Sequence, residues 1–188
     1  MNKIKKTKGL TFLETIATLA IISGVSLFLF VKISNDSERK DLEKSRRIFQ
    51  EIFFRYSRKS FYEKKVFKIE IHLVDKKIII KNFSKEILEE TNLPNRLKYE
   101  IIYANMRHRI FNLDTTKDGN LSKAFTIYNF GYKGDVQNRI AYYTFQKEKI
   151  LKINTYLNQN VKNITYENIL NYHYSTEGQN RIGWIEED

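Results

Sequence analysis

Lys8-Gly9-Leu10-Thr11-Phe12-Leu13-Glu14 opens an apolar run that ends at Val31. Four lysines precede the run, Lys3, Lys5, Lys6 and Lys8, and a glycine closes this basic leader. From Leu10 to Val31 the only ionisable side chain is Glu14. Those 22 residues, at about 1.5 Å rise each, make a helix of about 33 Å, enough to cross a hydrocarbon core of about 30 Å. By the positive-inside rule the leader stays in the cytoplasm and everything after Lys32 faces outward. A carboxylate in hydrocarbon costs about 2.5–3.5 kcal/mol at a helix centre, so it marks a function or a partner. Cleavage between Gly9 and Leu10 would place a new α-amino cation four residues from Glu14. That arrangement suits a charge pair buried between packed helices, with the amine supplied by the chain itself or by a neighbour.

A secretory signal peptide fits this stretch worse. The apolar run is longer than the usual core of about 7–15 residues, and no small-x-small site closes it. The plainer alternative is an uncleaved signal anchor. Against it stands the position of the glycine and the glutamate, at the junction of basic leader and membrane helix.

At these residues the chain resembles the type IV prepilins, a family that includes the pseudopilins of type II secretion and competence systems. The shared pattern is a basic leader, Gly9 at the cut, apolar Leu10 as first mature residue, Thr11, and Glu14 as the fifth. The resemblance covers Lys8 to about Val31 and fades beyond it. It implies that a membrane aspartic peptidase cuts after Gly9 and N-methylates Leu10. It also implies that Glu14 registers the subunit against its neighbour in a helical filament. The partners implied are prepilin peptidase, other pilin or pseudopilin subunits, and the membrane. No cofactor is implied.

Composition narrows the rest. The 188 residues allow one extramembrane domain, and 41% hydrophobic residues with 13 Phe and 12 Tyr are enough for a core. The chain has no cysteine, which excludes disulfides and thiolate metal sites. Many pilins close a C-terminal loop with a disulfide, so this departure argues against a major pilin of that kind and is neutral for minor pilins and pseudopilins. Removing residues 1–9 takes four lysines from the formal charge of +11 and leaves +7. Such a balance permits contact with anionic surfaces or nucleic acid without requiring it.

Along the chain, Ala17, Ala20 and Gly24 recur at helical spacing and give a face where another helix can approach closely. Around Ser34-Asn35-Asp36-Ser37 either a new helix is capped or the first runs straight through. Leu42, Phe49, Ile52, Phe53 and Tyr56, with Ser45, then form one apolar stripe of an amphipathic helix. From Val66 the period changes to two, and Phe67, Ile69, Ile71 and Leu73 mark a half-buried strand. A second strand starts at Ile78. Residues 84–95 read as a helical turn or loop stopped at Asn92-Leu93-Pro94. Further strands are expected near 97–103, 124–130, 140–145 and 150–156, with residues 104–113 ambiguous. A glycine-bearing hairpin turn falls at 131–135 and a tight turn at Gln146–Lys149. Asn168–Tyr174 forms a short strand or helix, and the acidic end Glu186-Glu187-Asp188 is expected to be exposed and mobile. The strand pair around Gly131–Gly134 and the strand after it broadly resemble the secretion-pathway H-type minor pseudopilins.

The fold class that follows is α+β and pilin-like. A long N-terminal helix, membrane-spanning in its first half, packs on an antiparallel β-sheet domain. The divisions are a leader at 1–9, a membrane or filament-core helix at 10–33 and an amphipathic extension at 34–65. A sheet domain at 66–156 and a C-terminal segment at 157–188 follow.

Catalytic patterns are absent from the sequence. His72, His108 and His173 share no ligand or catalytic spacing and read as surface residues. Asp114-Thr115-Thr116-Lys117-Asp118-Gly119-Asn120 looks like the first half of a calcium loop. Phe125 stands where its bidentate acid belongs, so a polar turn is the reading. Arg96, Lys98, Arg107, His108 and Arg109 flank Tyr99 and Tyr103, a mixture that can bind single-stranded nucleic acid. Three functions therefore remain: a structural filament subunit, a signal-anchored extracytoplasmic binding domain that does not polymerise, and a DNA-binding competence pilin. An enzyme is the least favoured class.

Overall fold

The computed structural model describes residues 11–144 and 151–187, which form three helices and ten strands. The chain divides into two units, Met1–Arg39 and Lys40–Asp188. Helix α1, Phe12–Glu63, runs through the boundary without interruption. Ser34–Ser37 caps nothing. No glycine or proline follows Gly24 within the helix, and Glu38, Arg39 and Lys40 are good helix formers. The helix stops where Lys64 takes a left-handed conformation, φ 54°.

In the second unit the expected stripe is buried, except that Leu42 at its start is half-buried. Ser45, Phe49, Ile52, Phe53 and Tyr56 face the core, joined by Ser57 and Ser60. They lie against two antiparallel sheets. The first has four strands in the order β3-β2-β1-β6, from β1 (Lys68–His72), β2 (Lys77–Lys81), β3 (Ile87–Asn92) and β6 (Ile110–Asp114). The second has six, in the order β10-β9-β8-β7-β4-β5. Its strands are β4 (Lys98–Tyr103), β5 (Met106–Arg107), β7 (Phe125–Phe130), β8 (Val136–Tyr143), β9 (Lys152–Asn158) and β10 (Trp184–Glu187). Phe49, Ile52 and Phe53 meet Ile69 and Ile71 from the first sheet and Ile101, Phe125 and Tyr142 from the second in one cluster. The Phe53 ring lies 4.7 Å from Tyr142 and 5.9 Å from Phe125, both edge-on. Edge-on contacts of this kind add to area burial.

Every residue of β7 is buried, because its sheet is covered on both faces. Phe125 and Ile127 face α1, while Tyr128 and Phe130 face a second cluster with Val136, Ile169 and Tyr172. That second layer is the C-terminal segment. It contains α2 (Ile169–Tyr174) and α3 (Thr176–Gln179), and it returns to the sheet as β10 beside β9. The β7–β8 connection is the expected hairpin turn. Gly134 N–H donates to Gly131 O at 3.0 Å, and Gly134 has φ +87°. Glycine takes that conformation without a Cβ clash.

Two expectations are corrected and two open readings are settled. Residues 87–92 are a strand, not a helical turn, and β3 pairs along β2 from Lys77–Asn92 to Lys81–Ile87. The ambiguous 104–113 stretch supplies β5 and β6. The acidic end is not loose through Glu187, since Glu186 and Glu187 pair with Tyr156 and Thr155. Glu187 also meets Arg46 of α1 at 2.5 Å. Asn168–Tyr174 resolves as helix α2. The turn at Gln146–Lys149 lies outside the described residues.

Candidate functional site

The first turn of α1 is built by Thr11 and Glu14. Glu14 Oε2 accepts from the Thr11 N–H at 2.8 Å and from the Thr11 hydroxyl at 2.9 Å. Glu14 N–H in turn donates to Thr11 Oγ1 at 3.3 Å. This reciprocal pair is a capping box, which satisfies orphan donors at a helix start. The Thr-x-x-Glu spacing of Thr11 and Glu14 is the signal of this cap in the sequence. Gly9 and Leu10 lie outside the described residues.

Beyond the cap, the first unit presents a wholly uncovered apolar surface. Phe12 is 83% exposed, and Leu19, Ile21, Leu27, Phe28 and Phe30 are all exposed. Each such side chain gains about 1.5–3 kcal/mol when removed from water. A surface of this extent needs lipid or neighbouring helices to cover it. The helix is long and apolar enough to cross a membrane. An ideal Cβ on Gly24 would meet nothing within 4 Å, so that face is open to a close neighbour.

The basic and aromatic residues near β4 do not form a stacking platform. Tyr99 is buried in the core, and its hydroxyl donates to Pro94 O at 3.0 Å. Arg96 lies 3.8 Å over the Tyr132 ring. Arg107 Nη2 donates to the carbonyls of Tyr166 and Glu167, the latter at 2.7 Å. Arg107 Nε also stands 3.8 Å from Glu100, which is 1% exposed. Burial pushes the Glu100 carboxyl up, against the pull of its hydrogen bond with Tyr166 and of Arg107. Glu100 escaped the sequence reading because it occupies an outward position of an alternating strand, which only the C-terminal layer buries.

His72 is half-buried, 3.4 Å from Glu70 and 3.6 Å from Asp75. His108 lies 3.3 Å from Tyr103 O. His173 corrects the surface reading. It sits in the C-terminal layer with Nδ1 2.8 Å from the Tyr128 hydroxyl, and burial with nearby Arg139 pushes it down to about 4. The Asp114–Asn120 stretch closes as a polar turn. Gly119 N–H donates to Thr116 O at 3.0 Å, and Thr116 N–H donates to Asn120 O at 2.7 Å.

No family model and no curated protein matches this chain. Solved structures of the minor pseudopilin EpsH from the type II secretion system of Vibrio cholerae are similar to it. One covers 59% of this chain and 94% of that chain at 13% identity, with a TM-score of 0.45. A crystal structure of the same protein covers 64% and 94% at 12% identity, with a TM-score of 0.41.

Proposed function

We propose that this chain is a structural subunit of a filament of the type IV pilus, type II secretion or competence kind, a minor pilin or pseudopilin. One observation carries the reading. A single unbroken helix has a capped start at Thr11–Glu14, an uncovered apolar first unit, and a later stretch built into the core of a β-domain. A polypeptide of this design holds its domain to a membrane and can pass its apolar segment from lipid to a bundle of like segments.

In this reading residues 1–9 are a leader left in the cytoplasm and the domain lies outside the membrane. Prepilin peptidase cuts between Gly9 and Leu10, and Leu10 becomes the N-methylated terminus. The new cation and the Glu14 carboxylate then pair between neighbouring subunits. Helices in hydrocarbon gain little from burying apolar surface against each other, so such a pair sets register where packing alone does not. The role is structural rather than catalytic.

The deciding experiment is the intact mass of the membrane-extracted protein, made with and without a prepilin peptidase. Loss of residues 1–9 with one added methyl group, only when the peptidase is present, supports the reading. An uncut chain under both conditions, beside a known prepilin that is processed, overturns it and leaves a signal-anchored binding domain.

A further inference from the structure

The outer face of the six-stranded sheet holds a cavity of about 290 Å³ between β4, β7, β8 and the α2–α3 layer. Thr126 and Ala141 stand opposite each other in register, and their small side chains leave the sheet low at this point. Arg139, His173 and Arg181 line the space, and no carboxylate side chain does among the described residues.

Arg139 is the informative residue. It is 6% exposed. Its Nη1 donates to Gly178 O at 2.7 Å, and its guanidinium lies 5.8 Å from the Tyr128 and Tyr156 ring centroids. Its Nε is buried with no hydrogen-bond partner among the described residues. Arg46, Arg55 and Arg107 each have a carboxylate within salt-bridge range. Arg139 has none among the described residues. A buried donor left unpaired costs about 1–3 kcal/mol, and more when charged, so this position calls for an acceptor. The edge of a guanidinium that carries Nε takes two oxygens of a carboxylate or phosphate side by side. Arg181 stands at the rim with Nη2 3.1 Å from the Tyr143 hydroxyl, a second cation able to close on the same group.

We propose that this cavity binds a small molecule carrying one compact oxyanion, a carboxylate or a phosphate, held by Arg139 and Arg181 over the Thr126–Ala141 floor. The volume lies at the lower limit of small-molecule sites, about 300–1,000 Å³, so the ligand is small. Occupancy has a built-in reporter. Burial is the larger cause of the lowered His173 pKa and Arg139 the second; an anion beside Arg139 offsets only the latter, so binding raises the His173 pKa above about 4. The other groups facing this ring are Tyr128 and Tyr174.

The test uses the full chain in detergent micelles. Inorganic phosphate and acetate are titrated separately against sodium chloride of matched ionic strength, and the His173 ring shifts are followed by NMR across pH. The expected result is saturable binding of one or both probes, with His173 titrating about half a unit higher or more when the site is filled. Arg181→Gln, a change at an exposed residue, is expected to weaken that binding roughly tenfold, as loss of a charge-assisted hydrogen bond does. The probe that saturates identifies the oxyanion. Shifts that never saturate, or that Arg181→Gln leaves unchanged, overturn the proposal and assign the cavity to water.

Discussion

Glu14 has one role visible in the structure, accepting from Thr11, and one proposed, pairing with the terminal amine of a processed subunit. Glu14→Gln separates them. Glutamine at this position closes a capping box as glutamate does, so the variant keeps the cap and loses the charge. Thr11→Ala does the reverse. It removes the hydroxyl that receives the Glu14 N–H and leaves the carboxylate in place. Loss of such a cap costs about 0.5–2 kcal/mol. Loss of the charge partner leaves an ammonium buried alone between helices, a cost of about 3–5 kcal/mol. At about 1.4 kcal/mol per tenfold, the cap variant loses at most some thirtyfold in assembly and the charge variant a hundredfold or more. The assay is the fraction of tagged chain recovered in sheared filaments, in cells that carry the assembly machine, with intact mass confirming cleavage. Glu14→Gln and Glu14→Ala should both insert in the membrane and both be nearly absent from filaments. Thr11→Ala should assemble at a reduced level. If Glu14→Gln assembles like the unaltered chain while Thr11→Ala fails, Glu14 acts as a helix cap and the charge-pair argument is wrong.

Two further outcomes check the second unit. Phe53 is 0% exposed and touches rings from both α1 and the six-stranded sheet, so Phe53→Ala should lose about 3–5 kcal/mol in urea unfolding followed through Trp184 fluorescence. A loss under about 1 kcal/mol would show that the helix is not seated on that sheet as described. His173 titrates near 4 when folded against 6.5 ordinarily, so between those values the unfolded chain binds the proton more strongly. Its contribution to stability is therefore complete above pH 6.5 and is lost as pH falls toward 4. The unfolding midpoint should fall more steeply over that window in the unaltered chain than in His173→Asn, and equal slopes would count against a buried neutral ring.

The helix stripe was legible because its signal is local. Phe49, Ile52, Phe53 and Tyr56 repeat at helical spacing and all proved buried. Ser57 and Ser60 were missed because small polar residues carry no hydrophobic signal. Ser60 is buried through a hydrogen bond with Thr115 that joins α1 to the loop after β6. Strand β3 was missed for the opposite reason. It is an edge strand, with Ile87 and Leu88 exposed and Glu89 and Glu90 beside them, so neither face carries an alternating pattern. Its Glu89 has a clear job only in three dimensions, where it accepts from Tyr56 at 2.8 Å and pairs with Arg55 at 2.6 Å. The proposed DNA-binding cluster was assembled from neighbours in sequence. The pleat of β4 puts Tyr99 on the core face, so its ring is not open to stack on a base.

By itself the sequence determined the apolar N-terminal segment, its single carboxylate, the amphipathic helical stripe that follows and the change to strand period near Val66. Each is a repeat or a break within one stretch of chain, and backbone geometry converts it directly into a face. Only the tertiary structure decided that residues 159–183 form a second layer over the sheet. That layer makes β7 buried on both sides, removes Glu100 and Arg139 from water and half-buries His173. Burial of a charged or polar residue depends on what arrives from elsewhere in the chain, and no local period encodes the arrival.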